Sequence, residues 1–394
     1  MSLQVVLSNP ENSSLGKVTI QLPIPRGQYT ECIEKLEALG IGDAVKADCA
    51  VERIDGTFPH LGMLEISSVN IEDLNYLAKR LESFSGNEVT QFLAVAYDQE
   101  LYMTKPLINL TFCCQQVTVI TNFNDLEAIG RRHHINLQGS SESNKLETFS
   151  DYEAALILIN EKSPDAVTPY GVLYENGMRL TEVYDGQYFP CYFYEPNPIT
   201  VAVISKAEPE DTKHIVWLYL PMEQKEIDRA LLHAGITDPS EIRLRLEDSQ
   251  LPDEVAVRLD MERENIADLN GLAQAIESLS ESDLQKLGAA AVLAEPKSAV
   301  QIKNLAEHLD LFDFAPGAHS PTEYGKYMIQ KSGCFEYDEN LDAFYNYEGY
   351  ALQRMAEEEW MFTDRGYIAY KGDISMEEVM DGSQNGRMEM GGLT

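Results

Sequence analysis

A stretch running Asn70-Ile-Glu-Asp-Leu-Asn-Tyr-Leu-Ala-Lys-Arg-Leu-Glu-Ser-Phe-Ser85 recurs 195 positions later as Asn265-Ile-Ala-Asp-Leu-Asn-Gly-Leu-Ala-Gln-Ala-Ile-Glu-Ser-Leu-Ser280. Nothing else in the chain constrains its fold as strongly, because two copies of one segment must each bury an apolar face of the same shape. Upstream, Leu22-Pro23 and Gly40-Ile41 have counterparts in Leu220-Pro221 and Gly235-Ile236, so the duplication covers a module rather than one helix.

Each copy reads as a helix with a physical cause. Asn70 and Asn265 are placed to accept hydrogen bonds from the first free backbone N–H groups. Ile71, Leu74, Leu77, Leu81 and Phe84 then follow helical spacing, as do Ile266, Leu269, Leu272, Ile276 and Leu279. Glu72, Asp73 and Asp268 lie at the positive end of the helix dipole. After the second copy, Ser280 with Asp283 starts a helix over 281–294 and Ser298 caps 299–311. Ser320-Pro321-Thr322-Glu323 opens a further helix closed by Gly333.

Between the copies the pattern changes. Val117–Thr121, Ala154–Ile159, Tyr170–Tyr174, Met178–Tyr184 and Tyr188–Tyr194 read as strands, with Asn176-Gly177 and Asp185-Gly186 at tight turns. Residues 106–205 are therefore expected to form a β-rich module, with a polar linker from Lys206 to Thr212. Ile215–Leu220 reads as a strand, and Trp360–Phe362 with Tyr367–Tyr370 as a hairpin.

Charge narrows the functional classes. The chain of 394 residues holds 65 acidic and 30 basic side chains, a formal net charge of −35. From Lys213 onward there are 35 acidic and 16 basic residues, so the excess is spread over both halves. With 44% hydrophobic residues the composition is globular, and the field repels nucleic acid and anionic membranes. No apolar run nears the roughly 20 residues of a membrane span, and Met-Ser-Leu-Gln does not open a signal peptide, so a cytoplasmic location is expected. The six cysteines have no metal-binding spacing and are expected as reduced thiols.

Catalytic and metal signatures are missing from the pattern. Glu336-Tyr-Asp-Glu-Asn-Leu-Asp342 has the look of a calcium loop but lacks its central Gly and closing Glu. Arg131-Arg132-His133-His134 is one basic island, best placed at a helix end. No cofactor, metal site or catalytic residue is assigned, and the chain is read as a non-enzyme.

Leu341-Asp-Ala-Phe-Tyr-Asn-Tyr-Glu-Gly-Tyr-Ala-Leu-Gln-Arg354, followed by Trp360-Met-Phe-Thr-Asp-Arg-Gly-Tyr-Ile-Ala369, resembles the ArdA family of antirestriction proteins. Tyr345, Tyr347, Glu348, Tyr350 and Ala351 match its aromatic-acidic segment, and Thr363, Gly366 and Tyr367 its closing hairpin; Asn346 stands where the family has Asp. The resemblance covers 213–372 best and extends to 1–105 as a second version of the amino-terminal part.

What the resemblance implies is an elongated α+β tandem of small antiparallel sheets and helical bundles. The expected divisions of the chain are 1–105, the β-rich 106–205, which the resemblance does not cover, a small α/β domain at 213–262, helices at 263–312, an α+β domain at 313–375 and a flexible tail at 376–394. The resemblance also implies an acidic DNA mimic from a mobile element that blocks the DNA-binding cleft of a type I restriction–modification methyltransferase. The protein would act as a homodimer or an intrachain pseudo-dimer, without binding nucleic acid or membrane itself. The candidate presenting carboxylates are Glu72, Asp73, Glu82, Asp268, Glu277, Glu281, Asp283, Glu336, Asp338, Glu339, Asp342 and Glu348. Tyr345, Tyr347, Tyr350 and Ala351 are the motif residues expected at an interface. The alternatives are an acidic adaptor of a mobile element, and a hydrolase using clustered carboxylates.

Overall fold

The structure is a computed structural model that describes residues 3–56, 58–64, 67–138, 149–192, 196–208, 210–356 and 358–382. The chain is α+β and divides into two compact units. One comprises Met1–Glu195, Thr212–Val216 and Glu223–Pro239; the other comprises Pro196–Asp211, Trp217–Met222 and Ser240–Thr394.

The first unit opens with β1 (Leu3–Ser8) and β2 (Lys17–Leu22), paired antiparallel from Leu3↔Leu22 to Ser8↔Lys17. Alternation places Leu3, Val5, Leu7, Ile20 and Leu22 in the core. With β3 (Cys49–Asp55) and β4 (Ser68–Val69) they form a sheet of order β2-β1-β3-β4. Helix α1 (Tyr29–Glu37) follows β2 in sequence, and α2 (Ile71–Glu82), α3 (Gly86–Asp98) and α4 (Thr104–Leu110) follow β4.

Asn70 caps α2 as its sequence requires, accepting from the N–H groups of Glu72 at 2.8 Å and Asp73 at 3.2 Å. A twelve-residue helix is marginal alone, so burial of Ile71, Leu74, Leu77 and Leu81 is what holds it. A second sheet, β5 (Thr118–Ile120), β7 (Gly171–Tyr174) and β6 (Ala166–Thr168) in that order, packs on α5 (Leu126–Asn136) and α6 (Asp151–Glu161).

In the second unit, β8 (Ile199–Ser205) lies between β10 (Ile242–Ser249) and β9 (Val216–Leu220). Helix α7 (Gln224–His233), which follows β9 in sequence, belongs to the first unit. The second unit continues with α8 (Asp253–Ala256), α9 (Ile266–Glu277), α10 (Glu281–Ala294) and α11 (Ala299–Glu307). It then forms β11 (Phe312–Pro316), α12 (Pro321–Gln330), α13 (Tyr347–Met355), β12 (Glu359–Thr363), β13 (Gly366–Tyr370) and α14 (Met376–Met380). The last three strands make a sheet of order β11-β13-β12.

The two repeated segments are anchored alike. Asn75 of α2 is buried and its Oδ1 accepts from Ile24 N at 2.8 Å, just past the cis Leu22-Pro23 bond. Asn270 of α9 does the same with Met222 N at 2.8 Å and donates back to Met222 O at 2.9 Å, just past the cis Leu220-Pro221 bond.

Several sequence expectations need correction between the repeats. Ala154–Ile159 is not a strand but the body of α6, because Ser150 and Glu153 form a capping box that a continuous apolar run does not reveal. No strand forms over Met178–Tyr184 or 188–192, and 193–194 lie outside the described residues. There Asn109 Oδ1 accepts from Val183 N at 2.8 Å and Tyr184 N at 2.7 Å, so a side-chain amide replaces a strand ladder. Asn176 and Gly177 do adopt positive φ, at 57° and 77°. Residues 106–205 are thus mixed rather than β-rich, and β8 pairs within the second unit. At the other end, 376–382 are docked by α14, whose Met380 carbonyl accepts from Asn304 Nδ2 at 2.7 Å; 383–394 lie outside the described residues.

Candidate partner-binding surface

The acidic segment of the second unit is built around α12. Ser320 caps it by accepting from Glu323 N at 3.3 Å, while the Glu323 carboxylate accepts from His319 N at 2.7 Å. The chain then crosses a short 3-10 turn at Glu339–Phe344, with Asp338 accepting from Asn340 N at 2.9 Å.

Asp342 is the organising carboxylate of this turn. It accepts from the Tyr347 hydroxyl, from Tyr337 Oη at 2.8 Å and from Gln330 Nε2 at 2.8 Å. Those donors, Tyr347 first, hold its carboxyl below the usual carboxylate range. Three donors converging on one carboxylate oxygen favour its anionic form. Around it Glu336, Asp338, Glu339 and Glu348 are exposed. Apolar side chains share the surface: Phe344 is 84% exposed, and Phe335 and Leu341 about half.

The motif aromatics mostly build the domain. Tyr347 and Ala351 are buried, Tyr350 packs edge-on to Phe335, and Tyr345 is half-buried between Tyr337 and Tyr347. Asn346 caps α13 by accepting from Gly349 N at 2.9 Å, a role that Asp performs equally well.

On the helices, Glu277 and Glu281 are exposed, and Glu82 is half-buried. Asp268 and Asp283, both half-buried, complete the caps of α9 and α10 with Asn265 and Ser280.

Glu72 and Asp73 depart from the expectation of surface carboxylates. Inside the first unit, Glu72 accepts from Tyr29 Oη at 2.6 Å and from Arg229 Nε at 2.8 Å. Asp73 accepts from Tyr184 Oη at 2.5 Å and Thr104 Oγ1 at 3.1 Å. Burial, opposed chiefly by the Tyr184 bond, raises the Asp73 carboxyl. His233 reaches Tyr184 Oη at 3.0 Å and Ala44 O at 2.7 Å, and Phe189 stacks on both rings. Arg229, His233 and Tyr184 are the residues that sequence reasoning missed, since no local pattern pairs residues so far apart in the chain.

The basic island is also tied down. Arg131 Nε and His134 Nδ1 bond Asp151 at 3.3 and 3.0 Å, and buried His133 bonds Thr118 at 2.9 Å. Arg132, bonded to Ala128 O at 3.2 Å, lines a cleft of about 290 Å³ together with Glu88, Gln91 and Ile135. No helix among the described residues is long and apolar enough to cross a membrane.

These features define an acid-rich α+β protein that presents fixed carboxylates on its exposed turns and helix ends. Within it, residues 212–369 match the model of the family described as Antirestriction protein (ArdA), from just before β9 into β13. No curated protein matches the chain.

Proposed function

We propose that the chain is a non-catalytic antirestriction protein that mimics DNA and occupies the DNA-binding cleft of a type I restriction–modification methyltransferase. The observation that carries this reading is the match of 212–369 to the ArdA family. The physical support is charge. Duplex DNA offers about one negative charge per 1.7 Å, and its binding clefts answer with Lys and Arg. A folded chain with 65 acidic side chains can satisfy such a cleft without ordering a flexible tail. Of the candidates, Glu277, Glu281, Glu336, Asp338, Glu339 and Glu348 are exposed; Glu72 and Asp73 are withdrawn.

The same reading places the protein in the cytoplasm and derives it from a mobile element. The matching anchors at Asn75 and Asn270 support a duplicated amino-terminal module. Titration against a type I methyltransferase carrying labelled duplex tests the mechanism: the protein should release the duplex, and simultaneous binding of both would overturn mimicry. One observation favours the adaptor alternative, the exposed Phe344 with Phe335 and Leu341, which a nucleic-acid mimic does not require. A complex that forms while duplex stays bound would support it.

A further inference from the structure

We propose that residues 3–174 form a second complete unit of the construction found at 199–370, and that this unit presents a second surface for the same class of cationic DNA-handling partner. The inference rests on the functional reading above and extends it from one unit to two.

Obvious sequence similarity between the halves fades after Ser85, but the structural order does not. The series α4, β5, α5, α6, β6, β7 is repeated as α11, β11, α12, α13, β12, β13. Both three-stranded sheets are antiparallel with the last strand central. Their pairing coincides position for position: Ile120↔Val172 becomes Ala315↔Tyr367, and Thr168↔Gly171 becomes Thr363↔Gly366. Each residue moves by 195, the same step that carries Asn70 to Asn265. Upstream, the order β3-β1-β2 is likewise repeated as β10-β8-β9.

Three local devices agree with that step. Thr168 Oγ1 donates to Gly171 O at 3.0 Å and accepts from Tyr170 N at 3.1 Å; Thr363 Oγ1 donates to Gly366 O at 2.9 Å and accepts from Arg365 N at 3.2 Å. Gly171 and Gly366 both sit in the positive-φ region, at 137° and 135°. Gly130 and Gly325, 195 apart, each let two helices cross: an added Cβ would lie 1.6 Å from Asp151 O in one and 2.1 Å from Tyr347 O in the other, partners one residue out of that step. Register, turn bonding and the placing of the crossing glycine are separate constraints, and common ancestry of the two units explains their shared offset.

What the two units share besides backbone is charge. Residues 3–174 hold 23 acidic and 12 basic side chains, and 199–370 hold 33 and 15. Core positions have meanwhile changed, with Ile129 and Val172 standing where the later unit has Tyr324 and Tyr367. In the first unit Glu34, Asp98, Glu127 and Glu161 keep that excess exposed to solvent, where a cationic surface can meet it. The excess persists, so the first unit is assigned a partner of the same chemistry.

The test uses the full chain and labelled duplex bound to a type I methyltransferase. One variant carries Glu34→Gln, Asp98→Asn, Glu127→Gln and Glu161→Gln, all exposed positions of the first unit. A second carries Glu281→Gln, Glu336→Gln, Glu339→Gln and Glu348→Gln. Each is expected to weaken displacement about tenfold and to flatten its dependence on salt, and the combined variant to abolish it. Circular dichroism checks the fold, and Glu127→Lys alone should weaken displacement more than Glu127→Gln. If the first variant displaces duplex like the wild type while the second does not, this inference fails and the functional reading stands. If neither variant differs from wild type, the functional reading itself fails.

Discussion

Glu72 and Glu281 carry the same group in opposite settings. Glu72 faces Arg229 and the Tyr29 hydroxyl inside the first unit, whereas Glu281 points to water. Removing one partner of an enclosed pair leaves the other uncompensated, so Glu72→Gln should cost about 3 kcal/mol in urea unfolding. Glu281→Gln should stay within about 0.5 kcal/mol. In the second unit Arg365 bonds both oxygens of Glu254, at 2.9 and 2.8 Å, and holds its carboxyl below the usual carboxylate range. Because the folded value is the lower one, this contribution is present above the unfolded value and lost as pH falls through the folded one. Stability measured as pH falls below about 4.3, the ordinary Glu value, should therefore decline less steeply in Glu254→Gln than in the wild type.

Most of the described helices begin where a side chain accepts an orphan N–H group, whereas Tyr29–Glu37, Thr104–Leu110, Gln224–His233 and Asp253–Ala256 start without one. Ser280-x-x-Asp283 gives α10 at Glu281–Ala294, as expected from the sequence alone. In the structure Ser85 and Glu88 form the same capping box at the start of α3. Ser85→Ala and Ser280→Ala should each cost about 1 kcal/mol, read as melting shifts of a few degrees. Helix crossings are less forgiving. Gly130→Ala and Gly325→Ala would drive a Cβ into a neighbouring backbone carbonyl that has no rotamer to move to. Each should cost at least about 3 kcal/mol, and failure of both to lower the melting temperature would refute the close approach. The segment 154–159 escaped correct reading for a related reason: a short apolar run fits a buried helix or a buried strand, and only its cap decides.

The charge of the whole molecule predicts how it meets a partner. Complementary fields speed encounter and are screened over about 10 Å at 0.1 M salt, so displacement of duplex should weaken by more than tenfold between about 0.05 and 0.3 M salt. A salt-independent profile would leave the surface without an electrostatic role. At this scale the α+β class, the repeated helices and their caps, the acidic excess and the resemblance at 341–369 were legible in the residues alone, because these depend on composition and on residues a few positions apart. Only the tertiary structure decided that Glu72 and Asp73 turn inward. It also decided that a side-chain amide from Asn109 replaces a strand ladder at Tyr184, and that 118–174 repeat the pairing of 313–369. Those facts depend on which distant groups meet, and burial fixes that through contacts no local pattern records.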